Sequence, residues 1–143
     1  MRIKVTQITP KAAVVNDFNN FKRIIQQSVQ EVLLLNGKEM TQNLTYQIKS
    51  GSRSGRIRHD GRAASAKGEV PLEDTGVLAD SIDSELYRNL MVFGSKIDYS
   101  EDLEEDRYLI EETGKNYENK IHQDLGNYSA IQLKAKGFKI TWE

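Results

Sequence analysis

The stretch that decides the fold is Phe18–Ile48, FNNFKRIIQQSVQEVLLLNGKEMTQNLTYQI. Phe18, Phe21, Ile25, Val29, Val32, Leu33, Met40, Leu44 and Ile48 recur in it at separations of three, four and seven, which lays one apolar stripe along an α-helix. Asn16 or Asp17 is placed to cap the start. Gly37 falls inside the pattern, where glycine costs about 1 kcal/mol relative to alanine, so the spacing predicts a long helix that bends or restarts there. The run Leu33, Leu34, Leu35 reads as core, because an apolar stripe on a helix normally faces a neighbour.

Upstream, Arg2 to Ile8 alternates apolar Ile3 and Val5 with polar neighbours and stops before Pro10, the pattern of a short half-buried strand. Downstream the helical period disappears. From Lys49 to Gly68, four glycines (Gly51, Gly55, Gly61 and Gly68) alternate with serine, alanine and basic residues, which predicts a long flexible loop. Lys49, Arg53, Arg56, Arg58, Arg62 and Lys67 oppose only Asp60, a net of +5. Beyond Pro71, Asp80 to Tyr87 reads as a strand, Arg88-Asn89 as a turn, and Leu90 to Phe93 with Gly94 as the return strand of a hairpin.

Glu101 to Glu112 then carries seven acidic residues against Arg107, a net of −6, with Leu103, Leu109 and Ile110 between them. It reads as an acidic amphipathic helix that Gly114 interrupts. Tyr117, Ile121 and Leu125 mark a second helical stretch stopped at Gly126, and Phe138 to Trp142 alternates as a closing strand. The sum is one α+β domain over residues 1–143: a long N-terminal helix and a C-terminal helix packed on a small, mostly antiparallel sheet, with a basic loop at 49–68 and an extension at 127–143.

Composition narrows the function. A formal charge of −1 generates no global field toward nucleic acid or an anionic membrane, so any such binding must be local. The start lacks a signal-peptide layout, and no apolar run approaches the roughly 18 residues of a membrane span; the expectation is a protein made in the cytoplasm with no membrane partner. The absence of cysteine excludes a disulfide framework, thiolate metal ligands and a cysteine nucleophile. With 29% charged residues against 38% hydrophobic ones, much surface is left to solvent or partners.

The residues that carry chemistry do not assemble into a reaction. His59 lies in the basic loop, a poor place for preorganised base catalysis, and His122 has no metal-type partner one turn on. Nothing singles out two of the carboxylates in Glu101–Glu112 as an acid/base pair, and the segment lacks the Asp-x-Asp-x-Asp-Gly spacing of a calcium loop. The glycine-rich stretches Ser50–Gly55 and Gly61–Gly68 lack the Gly-Lys-Ser/Thr ending of a phosphate loop. No cofactor, metal or catalytic residue is expected. The basic loop suits a phosphate backbone, but it lacks interleaved aromatics for base stacking. The acidic set Glu101, Asp102, Glu104, Glu105 and Asp106 offers it a complementary protein surface on a neighbouring subunit.

One ordered string goes beyond local logic. Gly61-Arg-Ala-Ala-Ser-Ala-Lys-Gly-Glu-Val-Pro71, followed by Asp74-Thr-Gly-Val-Leu-Ala-Asp-Ser-Ile82, resembles a motif of tail-completion proteins of tailed bacteriophages, also described as minor tail or head–tail joining (neck) proteins. In that family a basic Gly/Arg stretch leads into Ala-Ser-Ala-Pro-Gly-Glu-x-Pro and then Asp-Thr-Gly-x-Leu-x-x-Ser-Ile; Lys67 stands here where the family has proline. Gly94-Ser95, Tyr99-Ser100-Glu-Asp-Leu103-Glu104 and Arg107-Tyr108-Leu109 resemble later family segments, without the proline that follows the arginine there. The likeness runs over about residues 15–125. It implies a non-catalytic virion subunit in an oligomeric ring at the head–tail junction, with other neck, connector and tail proteins as partners and packaged DNA close by. Within the motif, Asp74, Thr75 and Gly76 suit the turn out of the loop, and Leu78, Ser81 and Ile82 lead into the hairpin, Leu78 and Ile82 as core anchors.

Overall fold

The computed structural model describes residues 3–6, 14–51, 54–57, 59, 61–63, 65–66, 76–98 and 109–142. The elements run β1 (Ile3–Thr6), α1 (Val14–Ser50), α2 (Val77–Ser81), β2 (Ile82–Tyr87), β3 (Leu90–Ser95), α3 (Leu109–Ala135) and β4 (Lys139–Trp142). The class is α+β as expected. Its strands form two separate two-stranded antiparallel sheets, β1 with β4 and β2 with β3. Ile3 faces Trp142 in the first, and Ile82 faces Ser95 in the second.

Helix α1 is the spine and is unbroken at Gly37. Ile24, Ser28, Val32, Asn36, Met40, Leu44 and Ile48, every fourth residue, are all buried. A helix turns about 100° per residue, so each step of four advances the buried stripe by about 40°. From Ile24 to Ile48 the stripe therefore winds about 240° around α1 and meets different partners in turn. Near its start Ile24 packs with Ala130 and Leu133 of α3, backed by Phe21, Ile25 and Phe138. Near its end Leu44 and Ile48 pack with Leu78, Ala79 and Ile82, backed by Phe93, Ile97 and Ile110. Full burial of each large aliphatic side chain here stabilises by about 1.5–3 kcal/mol relative to exposure.

Gly37 is required by packing. A Cβ there would lie 2.7 Å from Met91 Sδ, 2.9 Å from Ser84 Oγ and 3.1 Å from Ser84 Cβ, so the missing side chain is what lets the β2–β3 hairpin press onto the helix. Burial of the hairpin against α1 outweighs the intrinsic cost of about 1 kcal/mol, and the expected bend does not occur. Helix α1 also begins earlier than its capping residues suggested: Val14 is already helical, which places Asp17 inside the first turn, where its charge complements the helix dipole.

Three further expectations are corrected. Asp80 and Ser81 belong to the short helix α2, and the strand begins at Ile82; Gly76, in the left-handed region at φ 82°, turns the chain into α2, where its carbonyl accepts the Asp80 amide at 2.9 Å. Helix α3 passes through Gly114 and Gly126 without interruption. It stops at Gly137, at φ 86°, which accommodates a paired terminal motif: the Phe138 amide donates to the Leu133 carbonyl and the Gly137 amide to the Lys134 carbonyl, both at 3.0 Å. Gly126 is buried and is used as a small residue inside the helix. The Leu33–Leu35 run is not simple core either, since Leu33 is only half-buried and Leu34 and Leu35 are exposed.

Candidate assembly surface

The Asp74–Ile82 string forms, in its described part, a structural joint. Leu78 and Ile82 are buried in the core at the end of α1, as expected of anchors. The Ser81 hydroxyl donates to the Leu78 carbonyl at 2.6 Å and shares a hydrogen bond with the Ser95 hydroxyl at 2.7 Å, tying α2 to the far end of the hairpin. Thr45 of α1 donates to the Ala79 carbonyl at 3.2 Å. Lys49 sits in the last turn of α1 instead of in a loop, and its ammonium reaches Asp80 at 3.0 Å. Asp74 and Thr75 lie outside the described residues.

Of the other basic candidates, Arg56 and Arg62 are described and exposed. Between them Ile57 bridges Ala63 in an antiparallel contact, with Gly61 at φ 77° in the turn. Arg53, Arg58 and Lys67 fall outside the described residues, as do Glu101, Asp102, Glu104, Glu105 and Asp106. Of the expected acidic helix, Leu109 to Glu112 is described, as the first turn of α3. His59 and His122 are both exposed, and no group of three or more His, Cys, Asp or Glu side chains converges for a metal among the described residues.

The structure also brings together a group that composition alone did not single out. Helices α1 and α3 run antiparallel, and across their seam Lys120 contacts Glu39 Oε2 and Asp124 Oδ2 at 2.9 Å each. Asn36, itself buried, donates its amide to Asp124 at 3.0 Å and to the Val32 carbonyl at 3.0 Å, while its oxygen accepts from Lys120 at 3.2 Å. Tyr117 donates to Glu39 at 3.2 Å and accepts from Asn43. Every polar atom of Asn36 thus has a partner, and the pairs fix how far α3 slides along α1.

The electrostatics follow the contacts. The hydrogen bonds from Lys120 and then from Asn36 hold the Asp124 carboxyl below the ordinary aspartate value, and those to Asp124 and then Glu39 raise the Lys120 ammonium. Burial, with Glu39 nearby, pushes up the Tyr117 phenol. These groups share the seam with a cleft of about 430 Å³, lined by Val32, Leu35, Glu39, Asn127, Tyr128 and Ile131 among others. Its polar wall is internally paired, and its apolar wall is open to solvent. That combination suits docking of a protein surface better than a bond-making reaction, which requires groups aimed at a bound substrate.

The hairpin provides a second open surface. Ser84, Leu86, Met91 and Phe93 lie on its inner face, while Asp83, Glu85, Tyr87, Leu90 and Val92 lie on its outer face. Lys96 bridges Asp83 and Glu85 at the base of that outer face; its hydrogen bond lowers the Asp83 carboxyl, and hydrogen bonds from Tyr87 and then from Lys96 lower that of Glu85. Toward the tip the face is apolar and exposed. Comparison of the chain with models of protein families, with curated proteins and with solved structures found no match.

Proposed function

We propose that this chain is a non-catalytic structural subunit of a tailed-bacteriophage virion, one of several copies forming a ring at the head–tail junction. The observation that carries the reading is the ordered string Gly61–Pro71 and Asp74–Ile82, which resembles the tail-completion family over consecutive residues. Its described residues supply the hinge from the basic segment into the hairpin and two of the core anchors. Support also comes from exposed apolar side chains on both the helical seam and the hairpin, which suit a subunit completed by neighbours. The +5 segment at 49–67 and the −6 segment at 101–112 are complementary, as contact between adjacent copies requires.

A nucleic-acid-binding module acting through segment 49–67 is the competing reading, favoured by the same concentration of basic residues. Interrupting the coding sequence in the genome that carries it and imaging the lysate separates the two. The neck reading expects DNA-filled heads and free tails that fail to join, and rescue by the chain supplied in trans. Normal joined particles overturn it, as does tight, salt-sensitive binding of the purified chain to duplex DNA with particle morphology unchanged.

A further inference from the structure

Beside the cleft, toward the start of α1, the seam holds a separate recess of about 150 Å³. Arg23, Gln27 and Glu31 stand one turn apart along its α1 wall, and Tyr128, Gln132 and Lys136 line the wall built by α3 and the turn after it. Because the helices run antiparallel, the two rows meet in reverse order, with Glu31 toward Tyr128 at one end and Arg23 toward Lys136 at the other. Glu31 accepts a hydrogen bond from Tyr128, and Gln132 donates to the same phenol oxygen, so the acidic end is closed on itself. At the basic end Arg23 reaches only the Asn20 side-chain oxygen, at 3.4 Å, and Lys136 makes no ion pair among the described residues. Glu31 lies eight residues from Arg23, about 12 Å along the helix axis. That exceeds the Debye length of about 8 Å at physiological salt, so Glu31 does little to offset the two cations. The carbonyls at the end of α3 do not offset them either: that of Leu133 accepts from the Lys136 and Phe138 amides, and that of Lys134 from the Gly137 amide.

We propose that this recess is a phosphate site, with the anion held between the Arg23 guanidinium and the Lys136 ammonium and the Gln27 and Gln132 amides donating from either wall. Two like charges on opposite walls repel, and an anion between them turns the repulsion into attraction on both sides. Donors on two walls suit a tetrahedral anion, whose oxygens point in several directions, better than a planar carboxylate, whose two oxygens share one edge. The volume equals about five waters at roughly 30 Å³ each. That is room for a phosphate, and it falls below the roughly 300 Å³ at which pockets for larger organic ligands begin. The site is independent of the assembly reading, and either can fail without the other.

Isothermal titration of the full chain with inorganic phosphate tests the site, at about pH 8, where a phosphate carries close to two charges, and with ionic strength held constant by chloride. Phosphate should bind at a single site and acetate should not. Arg23→Gln and Lys136→Gln should each weaken binding about tenfold, the effect of losing one charge-assisted hydrogen bond. Lys38→Gln, which removes an exposed lysine of α1 outside the recess, should leave it unchanged. Arg23 and Lys136 are exposed, so their variants should fold, which circular dichroism verifies. Methyl phosphate as the titrant identifies the source: equal affinity assigns the terminal phosphate of a larger molecule, and weaker binding assigns the free anion. Absence of phosphate binding, equal binding of acetate, or Arg23→Gln and Lys136→Gln variants that bind no more weakly than Lys38→Gln overturns the site.

Discussion

Replacing Gly37 by alanine should destabilise this protein, although alanine is the better helix former by about 1 kcal/mol. The added Cβ would meet Ser84 Cβ at 3.1 Å, an atom fixed to the hairpin backbone, and Met91 Sδ at 2.7 Å, the movable part of a flexible side chain. Met91 can swing aside, whereas Ser84 yields only if the hairpin lifts. Overpacking of this kind costs about 1–3 kcal/mol, leaving a net loss of roughly 0–2 kcal/mol once the helical gain is subtracted. Gly114, also inside a helix, has nothing within 4 Å of its own Cβ position, so alanine there should give the gain alone. Because the propensity term is common to both variants, the difference between them isolates the steric term, about 1–3 kcal/mol. Urea denaturation followed by helical circular dichroism resolves it: with a slope of about 1–3 kcal/mol per molar, the two midpoints should separate by on the order of 1 M. A Gly37→Ala midpoint equal to or above that of Gly114→Ala would show that the hairpin does not press on α1. Adding Ser84→Gly to Gly37→Ala should recover part of the loss, a coupling read from the full mutant cycle.

Acidification should loosen the α1–α3 seam. Asp124 is held below its ordinary value of 3.8, so its contribution is complete above about that pH and is lost as pH falls through the lower folded value; Asp124→Asn should flatten the acid limb of a stability-versus-pH curve and lower stability at neutral pH. Asn36→Ala should cost about 1–3 kcal/mol in chemical denaturation, because it strips partners from Lys120 and Asp124 at a buried position. Reversing charge at Arg56, Arg58 and Arg62 should block assembly while leaving the fold intact; for Arg56 and Arg62, which are exposed, the stability change should be no more than about 0.5 kcal/mol each. Unaltered tailed-particle yield, or loss of DNA retention alone in complete particles, would rule out pairing of this segment with an acidic protein surface.

The period of three and four in Phe18–Ile48 reveals α1, and alternation around Arg88-Asn89 reveals the hairpin, because both signals are local. Continuity at Gly37 and Gly126 is not legible: each glycine weakens a helix by about 1 kcal/mol in isolation, and at Gly37 only the approach of the hairpin explains why it is there. The last two residues of helix α2, Asp80 and Ser81, read as the beginning of a strand, since five residues are too few for a helical period to declare itself. The apolar residues predict α1's burial incompletely, missing Ser28 and Asn36, which occupy the same every-fourth-residue stripe. That stripe is the available signal for the seam: a polar residue on it marks where α1 meets polar groups of another helix. Lys120 and Asp124, one turn apart on α3, complete the group only when the two helices are placed side by side.

The winding of α1's buried stripe also governs how the molecule opens. Because α3 grips one side of the spine and α2 with the hairpin another, release of either bares a strip of α1 and leaves the other grip in place. Amide protons along the middle of α1 should therefore exchange last, through global unfolding, while those of the hairpin and of α3 exchange through smaller, separate openings. The hairpin and α2 can thus lift from α1 without the helix beneath them having to unwind.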